Sequence, residues 1–263
     1  MKNIKDIRDK VTRAKNNPTE LTNLLCKDFN IRQNEENNWL TFDIINNEET
    51  FDMKEVYNTY AVGGVDLSST TDLTCATLLV VKGDKKYVMQ QYFIPSERLD
   101  LKEKEDKIPY KQWQERGLVT VTYGAKVDYH EVTQWFNDMK LKYKISPYWI
   151  GYDPWNAPYW VAEMQDDYKY NMVEIRQGAK TMSNPMKLLE ADLIEKNVNY
   201  NNNPVTKWCL LNTAVKRDEN DNIRPDKSEN KRARIDGAVS LIIAYAVLGE
   251  NLNEYMNLQA KHN

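Results

Sequence analysis

At 263 residues, 41% of them apolar and 29% charged, the chain has room for one large domain, or one domain plus an arm, with a real core. A formal net charge of −3 excludes bulk attraction to nucleic acid, so any such binding must come from local patches. Three distant cysteines without a C-x-x-C exclude a zinc ribbon and point to a reducing compartment, and no apolar run is long enough to span a bilayer.

Residues 1–55 read as an N-terminal helical arm or interdomain segment. The start, MKNIKDIRDKVTRAKNNP, is charged throughout and has no signal-peptide character; TELTNLLCKDFN is amphipathic and NEENNW loop-like. Residues 56–263 are expected to form the folded domain. NTYAVGGVDLS predicts a strand ending in a turn, and LTCATLLVVKGDKKYVMQQYFIP two strands around KGDKK. The charged stretch ERLDLKEKEDKIPYKQWQERG follows, then a short strand or strand pair in GLVTVTYG. DYHEVTQWFNDMKLKYK is a helix capped by Asp128. PYWIGYDPW is a strand, NAPYWVAEMQDDY a helix, MVEIRQG a strand, and SNPMKLLEADLIEKN a helix. After the break NYNNNP come a helix in VTKWCLLNTAV, the polar loop KRDENDNIRPDKSENKRAR and a final apolar helix from Ile235. This order predicts an α/β fold: a mixed sheet with helices on both faces. The first strand is central, and the strand after the first helix lies beside it in parallel.

Three aspartates fall where these elements end or begin. Asp66 closes the first strand, Asp153 closes the strand after the first helix, and Asp236 opens the last helix. Each also has a structural reading, as a turn cap, a helix start before Pro154, or an N-cap worth roughly 1 kcal/mol. Together they suggest a site, because ligands of open α/β sheets gather at the carboxyl ends of the strands. Like charges at about 4 Å repel by roughly 4 kcal/mol, so clustered carboxylates call for a cation, and hard divalent ions prefer oxygen ligands. There are only two histidines, His130 and His262, too few to suggest a histidine metal site or a Ser-His-Asp hydrolase. No G-x-x-x-x-G-K-[ST] occurs, so no ATPase activity is expected of the chain.

The segments VGGVDLSSTTDLT, WIGYDPWNAPYWVAEM, VEIRQGAKTMSNPMKLLEADL and KRARIDGAVSLIIAYAVL, in order between about residues 57 and 250, resemble the nuclease domain of the large terminase subunit of tailed bacteriophages. Residues 8–40 resemble the segment joining ATPase to nuclease in such proteins. The resemblance implies a ribonuclease H-like fold, in agreement with the strand order. It implies a DNA endonuclease acting during phage genome packaging, with two Mg²⁺ or Mn²⁺ ions. The metal-binding acids fall on Asp66, Asp153 and Asp236, with Asp72 as a further acid. Asp66 and Asp236 would hold one ion, and Asp66 and Asp153 the second or a bridge toward it. Implied partners are double-stranded DNA, the ATPase domain of the large terminase, the small terminase subunit and the portal, in the host cytoplasm. Lacking the packaging ATPase, the chain is expected to be an excised domain or a split-gene product.

Lys180 and Lys187, around QGAKTMSNPMK, and Lys227, Lys231, Arg232 and Arg234, just before Asp236, are candidate phosphate contacts; a solvated basic loop is the plainer reading. The tryptophans of YDPWNAPYW read as core-packing residues rather than base-stacking ones. Asp72 depends on hairpin register. A loop of 68–71 pairs Asp66 with Leu73 and points Asp72 away, whereas a loop starting at Leu67, or a bulge, sets Asp72 opposite Asp66. Two rival functions share these features. One is a resolvase- or transposase-like nuclease, the other a docking module without catalysis whose acids are caps.

Overall fold

The structure, a computed structural model, describes residues 38–68, 73–227 and 234–262, with only the backbone of Asn156 and His262. Its main sheet has seven strands. β1 (Thr59–Asp66), β2 (Thr74–Lys82) and β3 (Lys85–Pro95) form an antiparallel meander. β4 (Val119–Thr122) joins β3 in parallel, and β5 (Ile145–Tyr152) and β6 (Asn171–Glu174) extend the other side of β1 in parallel. The order is β4-β3-β2-β1-β5-β6, with β7 (Val198–Asn199) also paired to β3. The first strand is central, as expected. β1 and β2 are buried along nearly their whole length, which is why AVGGV and TCATLLV read as continuous apolar runs.

Helices cover both faces. On one lie α4 (Tyr129–Tyr143) and α5 (Pro158–Asp166), which bury Val132, Phe136, Met139, Trp160 and Met164 against Ala61, Val65 and Leu78. On the other lie α6 (Ala179–Ile194) and α8 (Asp236–His262), with Met186, Leu189, Ile242 and Ile243 over Val62 and Leu79. α8 approaches the sheet closely because β1 and β5 meet it with glycine. A Cβ on Gly64 would stand 2.2 Å from the Ser240 carbonyl oxygen, and one on Gly151 2.6 Å from Ile243.

Three elements depart from the expected layout. The charged stretch after β3 folds as α2 (Ser96–Asp106) and α3 (Tyr110–Glu115), because Tyr110 and Trp113 bury beside Val119 and Cys209. The helix α7 (Pro204–Asn212), capped by Asn203, ends before Thr213, where the chain turns into strand. The expected polar loop is instead a hairpin of β8 (Thr213–Arg217) and β9 (Ile223–Lys227), with Ile223 buried in the core that α6 shares. Of the expected arm, residues 38–55 are described. They contribute Leu40, Ile45 and Phe51 to the cores, through α1 (Phe42–Ile45) and its flanks. Among the described residues no helix is long and apolar enough to cross a membrane.

Candidate active site

Val65 is in register with Tyr152, so the next residues, Asp66 and Asp153, leave neighbouring parallel strands side by side. Neighbouring strands stand about 4.8 Å apart. Side chains alternate along a strand, and Gly64 faces α8, so Asp66 faces it too. Gly151 also faces α8, and Asp153 continues in extended conformation two residues on. α8 runs antiparallel to β1: Ser240 Oγ donates to the Gly64 carbonyl at 2.8 Å, and Tyr255 and Gln259 reach the Tyr60 carbonyl at the other end. Asp236, one turn before Ser240, therefore comes over the end of β1. The topology thus brings Asp66, Asp153 and Asp236 to one face of one sheet edge.

Asp236 is only 4% exposed and lies inside the first turn of α8, since the Val239 amide donates to the Ile235 carbonyl. A buried polar network holds that turn. Gln90 Nε2 donates to the Gly237 carbonyl and to Thr77 Oγ1, both at 2.8 Å, while Tyr92 and Thr206 donate to Gln90 Oε1 at 2.7 and 2.6 Å. The Cys209 thiol on α7 is pushed up first by burial and then by the Asp236 charge, with a smaller contribution from Asp66. Both carboxylates are thus in electrostatic reach of one sulfur. Asp153 caps the short turn Pro154–Asn156, its Oδ1 accepting from the Trp155 amide at 2.9 Å.

Two neighbours of Asp66 escaped the sequence reading. Gln177 follows β6, reaches past the end of β5 and donates from Nε2 to Asp66 Oδ1 at 3.1 Å. Its only signal was its position after a strand destined for the same edge. Tyr129, the first residue of α4, has a buried hydroxyl with no hydrogen-bond partner among the described residues; burial, then the charge of Asp66, raises its phenol. Nothing in the sequence singled it out.

Among the described residues no group of three His, Cys, Asp or Glu is close enough to hold one ion. The acids share an edge without forming a closed cage there, and the donor set is all oxygen, the chemistry of a hard divalent ion. Asp72 lies outside the described residues. Neither expected hairpin register holds: Asp66 is opposite Cys75, and Ser68 N–H donates to Thr74 Oγ1 at 3.0 Å.

The basic residues divide. Lys180 is exposed in the first turn of α6, at this edge, and Lys187 is exposed about 10 Å further along the helix. Lys227 is half-buried at the end of β9, and Lys231 and Arg232 lie outside the described residues. Arg234 is a correction. It is 5% exposed and turned inward, its Nη2 and Nε 2.8 and 2.9 Å from the carboxylate of Asp106, which also accepts from Tyr110. It cannot face phosphate there; it anchors the segment that delivers Asp236. His130 pairs with Glu163 at the surface, 2.6 Å from Nδ1 to Oε1.

The fold is ribonuclease H-like α/β, a mixed sheet with helices on both faces. The family model for the endonuclease domain of the terminase large subunit matches residues 1–251, and the chain belongs to that family. The large terminase subunit of Enterobacteria phage HK97 is 27% identical over 193 residues, covering 73% of this chain and 38% of the relative. Protein YmfN of Escherichia coli K12 is 36% identical over 137 residues, covering 51% and 29%. The matched segments cover well under half the length of either curated relative. The crystal structure of the HK97 large terminase superposes with a TM-score of 0.69 at 24% identity, covering 94% of this chain and 51% of that one. The large terminase nuclease of thermophilic phage G20c with bound magnesium gives 0.51 at 13% identity, covering 81% and 98%.

Proposed function

We propose that the chain is a divalent-metal-dependent endodeoxyribonuclease that cuts phage DNA during genome packaging. The observation that supports this most is the shared edge: two parallel strands end side by side in aspartate, and the last helix begins with a buried aspartate above them. Membership of the endonuclease-domain family and the magnesium bound by the G20c nuclease agree with it.

In this reading Asp66, Asp153 and Asp236 hold Mg²⁺ or Mn²⁺, with Asp72 as an auxiliary ligand. A pair of such ions, when bound, supplies an activated water and stabilises the leaving 3′ oxygen of a phosphodiester. The chain's own groups orient the carboxylates. Gln177 steadies Asp66, the Trp155 amide holds Asp153, and the Gln90 network with the Arg234–Asp106 pair fixes the start of α8. Lys180, Lys187, Lys227, Lys231 and Arg232 supply phosphate contacts to double-stranded DNA. An ATPase domain, the small terminase subunit and the portal are its proposed partners, in the host cytoplasm.

The test is plasmid cleavage with Mn²⁺, Mg²⁺ or EDTA, by wild type and by Asp66→Ala, Asp153→Ala and Asp236→Ala. Cleavage is expected with either metal and lost in EDTA and in each variant. Thermal stability of Asp66→Ala should hold or rise, because a like charge is removed from the metal-free protein. Wild-type cleavage rates in Asp153→Ala or Asp236→Ala would sink the ligand assignment.

A further inference from the structure

Only one of the tryptophans in YDPWNAPYW is a core residue. Trp160 is 2% exposed, whereas Trp155 is 88% and Tyr159 92% exposed. With Tyr123 at 97%, they are the most exposed large apolar side chains among the described residues; the next, Leu141, is at 59%. All three leave the same sheet edge. Trp155 and Tyr159 follow the end of β5, and Tyr123 follows β4, which runs parallel to β3 and hence in the direction of β1. This is the edge of Asp66 and Asp153.

We propose that Trp155 and Tyr159 form an aromatic platform that stacks on bases of the DNA strand being cut, where the duplex is locally unpaired. The inference rests on the endonuclease reading above and names how the same site takes hold of its substrate. Three observations carry it. First, Asp153 accepts a hydrogen bond from the backbone amide of Trp155, so one short turn sets both the carboxylate and the ring. Second, each ring follows a proline, Pro154 and Pro158, whose fixed φ stiffens the backbone and lowers the entropy lost on binding. Third, the chain is net acidic and Arg234 is withdrawn onto Asp106, so phosphate contacts are few. Stacking supplies affinity that tolerates any sequence and does not depend on charge. Trp155 shares one hydrogen-bonded turn with Asp153, so a base stacked on its ring lies beside that acid.

The test measures binding of two labelled DNAs in EDTA, where turnover is absent: a paired duplex and the same duplex with a short unpaired bubble. Wild type, Trp155→Ala, Tyr159→Ala and Trp155→Phe are compared across a salt series. Each alanine variant is expected to bind the bubble DNA about tenfold more weakly, the loss of one base–aromatic stack. The salt slope and Mn²⁺ affinity should be unchanged, and Trp155→Phe should keep most of the affinity. Cleavage in Mn²⁺ should show a raised KM with little change in kcat. Equal bubble affinities for wild type and both alanine variants, in a wild type that cuts DNA, would overturn this inference alone and assign the rings to a protein interface. A wild type that neither binds nor cuts either DNA would overturn the endonuclease reading with it.

Discussion

Asp66 is half-exposed where β1 ends, and the side chain that steadies it comes from two strands away. A carboxylate that ligates metal is better prepared when one oxygen is already held, because the remaining lone pairs then point in a set direction. Gln177 does this without adding charge. Removing it should leave the fold intact, since its side chain reaches over the edge and not into a core. Gln177→Ala is therefore expected to lower Mn²⁺ affinity, or the cleavage rate at fixed Mn²⁺, by about 10–100-fold. Calorimetric titration of Mn²⁺, paired with a thermal melt that matches wild type, checks it; unchanged affinity would reduce Gln177 to a surface contact. Trp155 shows the opposite lesson at this scale. Its neighbour Trp160 is buried five residues later in the same stretch, and composition alone could not separate them. The short turn opened by Asp153 does so, by ending the strand before the ring can turn inward.

Among the elements, α8 and β1 define the site together, and Gly64 sets their distance. No real side chain fits 2.2 Å from the Ser240 carbonyl, and the obstructing atoms are backbone, which cannot swing aside. Gly64→Ala should push α8 off β1 and strain the Ser240 bond to the Gly64 carbonyl, at a cost of at least about 1–3 kcal/mol for overpacking. Cleavage should fall further than stability does, because the shift separates Asp236 from Asp66. A denaturant melt and a cleavage assay on the same preparation test this; full activity would show that the site tolerates the displacement. The strands were legible for the reason this packing works: β1 and β2 are buried on both faces and so carry unbroken apolar runs. α2 and α3 were not, because the stretch is dominated by charge and its anchors are few, with Tyr110 and Trp113 in the core and Asp106 on Arg234. The β1–β2 register was not legible either. The two expected registers differed by a single residue of loop, and the structure adopts a third, with Asp66 opposite Cys75.

For the molecule as a whole, the two faces of the sheet are tied down differently. The α8 face is knit by buried hydrogen bonds, while α4 and α5 are also joined at the surface by His130 and Glu163. The hydrogen bond that His130 Nδ1 donates to Glu163 is the main cause that raises the His130 pKa above its ordinary 6.5. Because the folded value is the higher one, the pair stabilises fully below about pH 6.5 and loses its contribution as the pH rises through the raised value. The imidazole is largely exposed, so the effect is that of a surface pair, roughly 0.2–1 kcal/mol. Glu163→Gln should lower the melting temperature at pH 5.5 and leave it unchanged at pH 9; an equal drop at both values would show that packing, not charge, is lost. Among the candidate acids, Asp66, Asp153 and Asp236 could be read from the sequence because each ends or begins an element. Their common edge followed from strand order.

The antiparallel run of α8 along β1 also sets a timetable for synthesis. Asp66 and Asp236 are 170 positions apart in the chain, and the helix that joins them at the edge is the last described element to leave the ribosome. A nascent chain that has made every strand of the main sheet still leaves Gly64 and Gly151 uncovered and one acid missing. The blade is thus assembled before its final edge is fitted, and on the proposed mechanism an interrupted translation product is harmless to DNA.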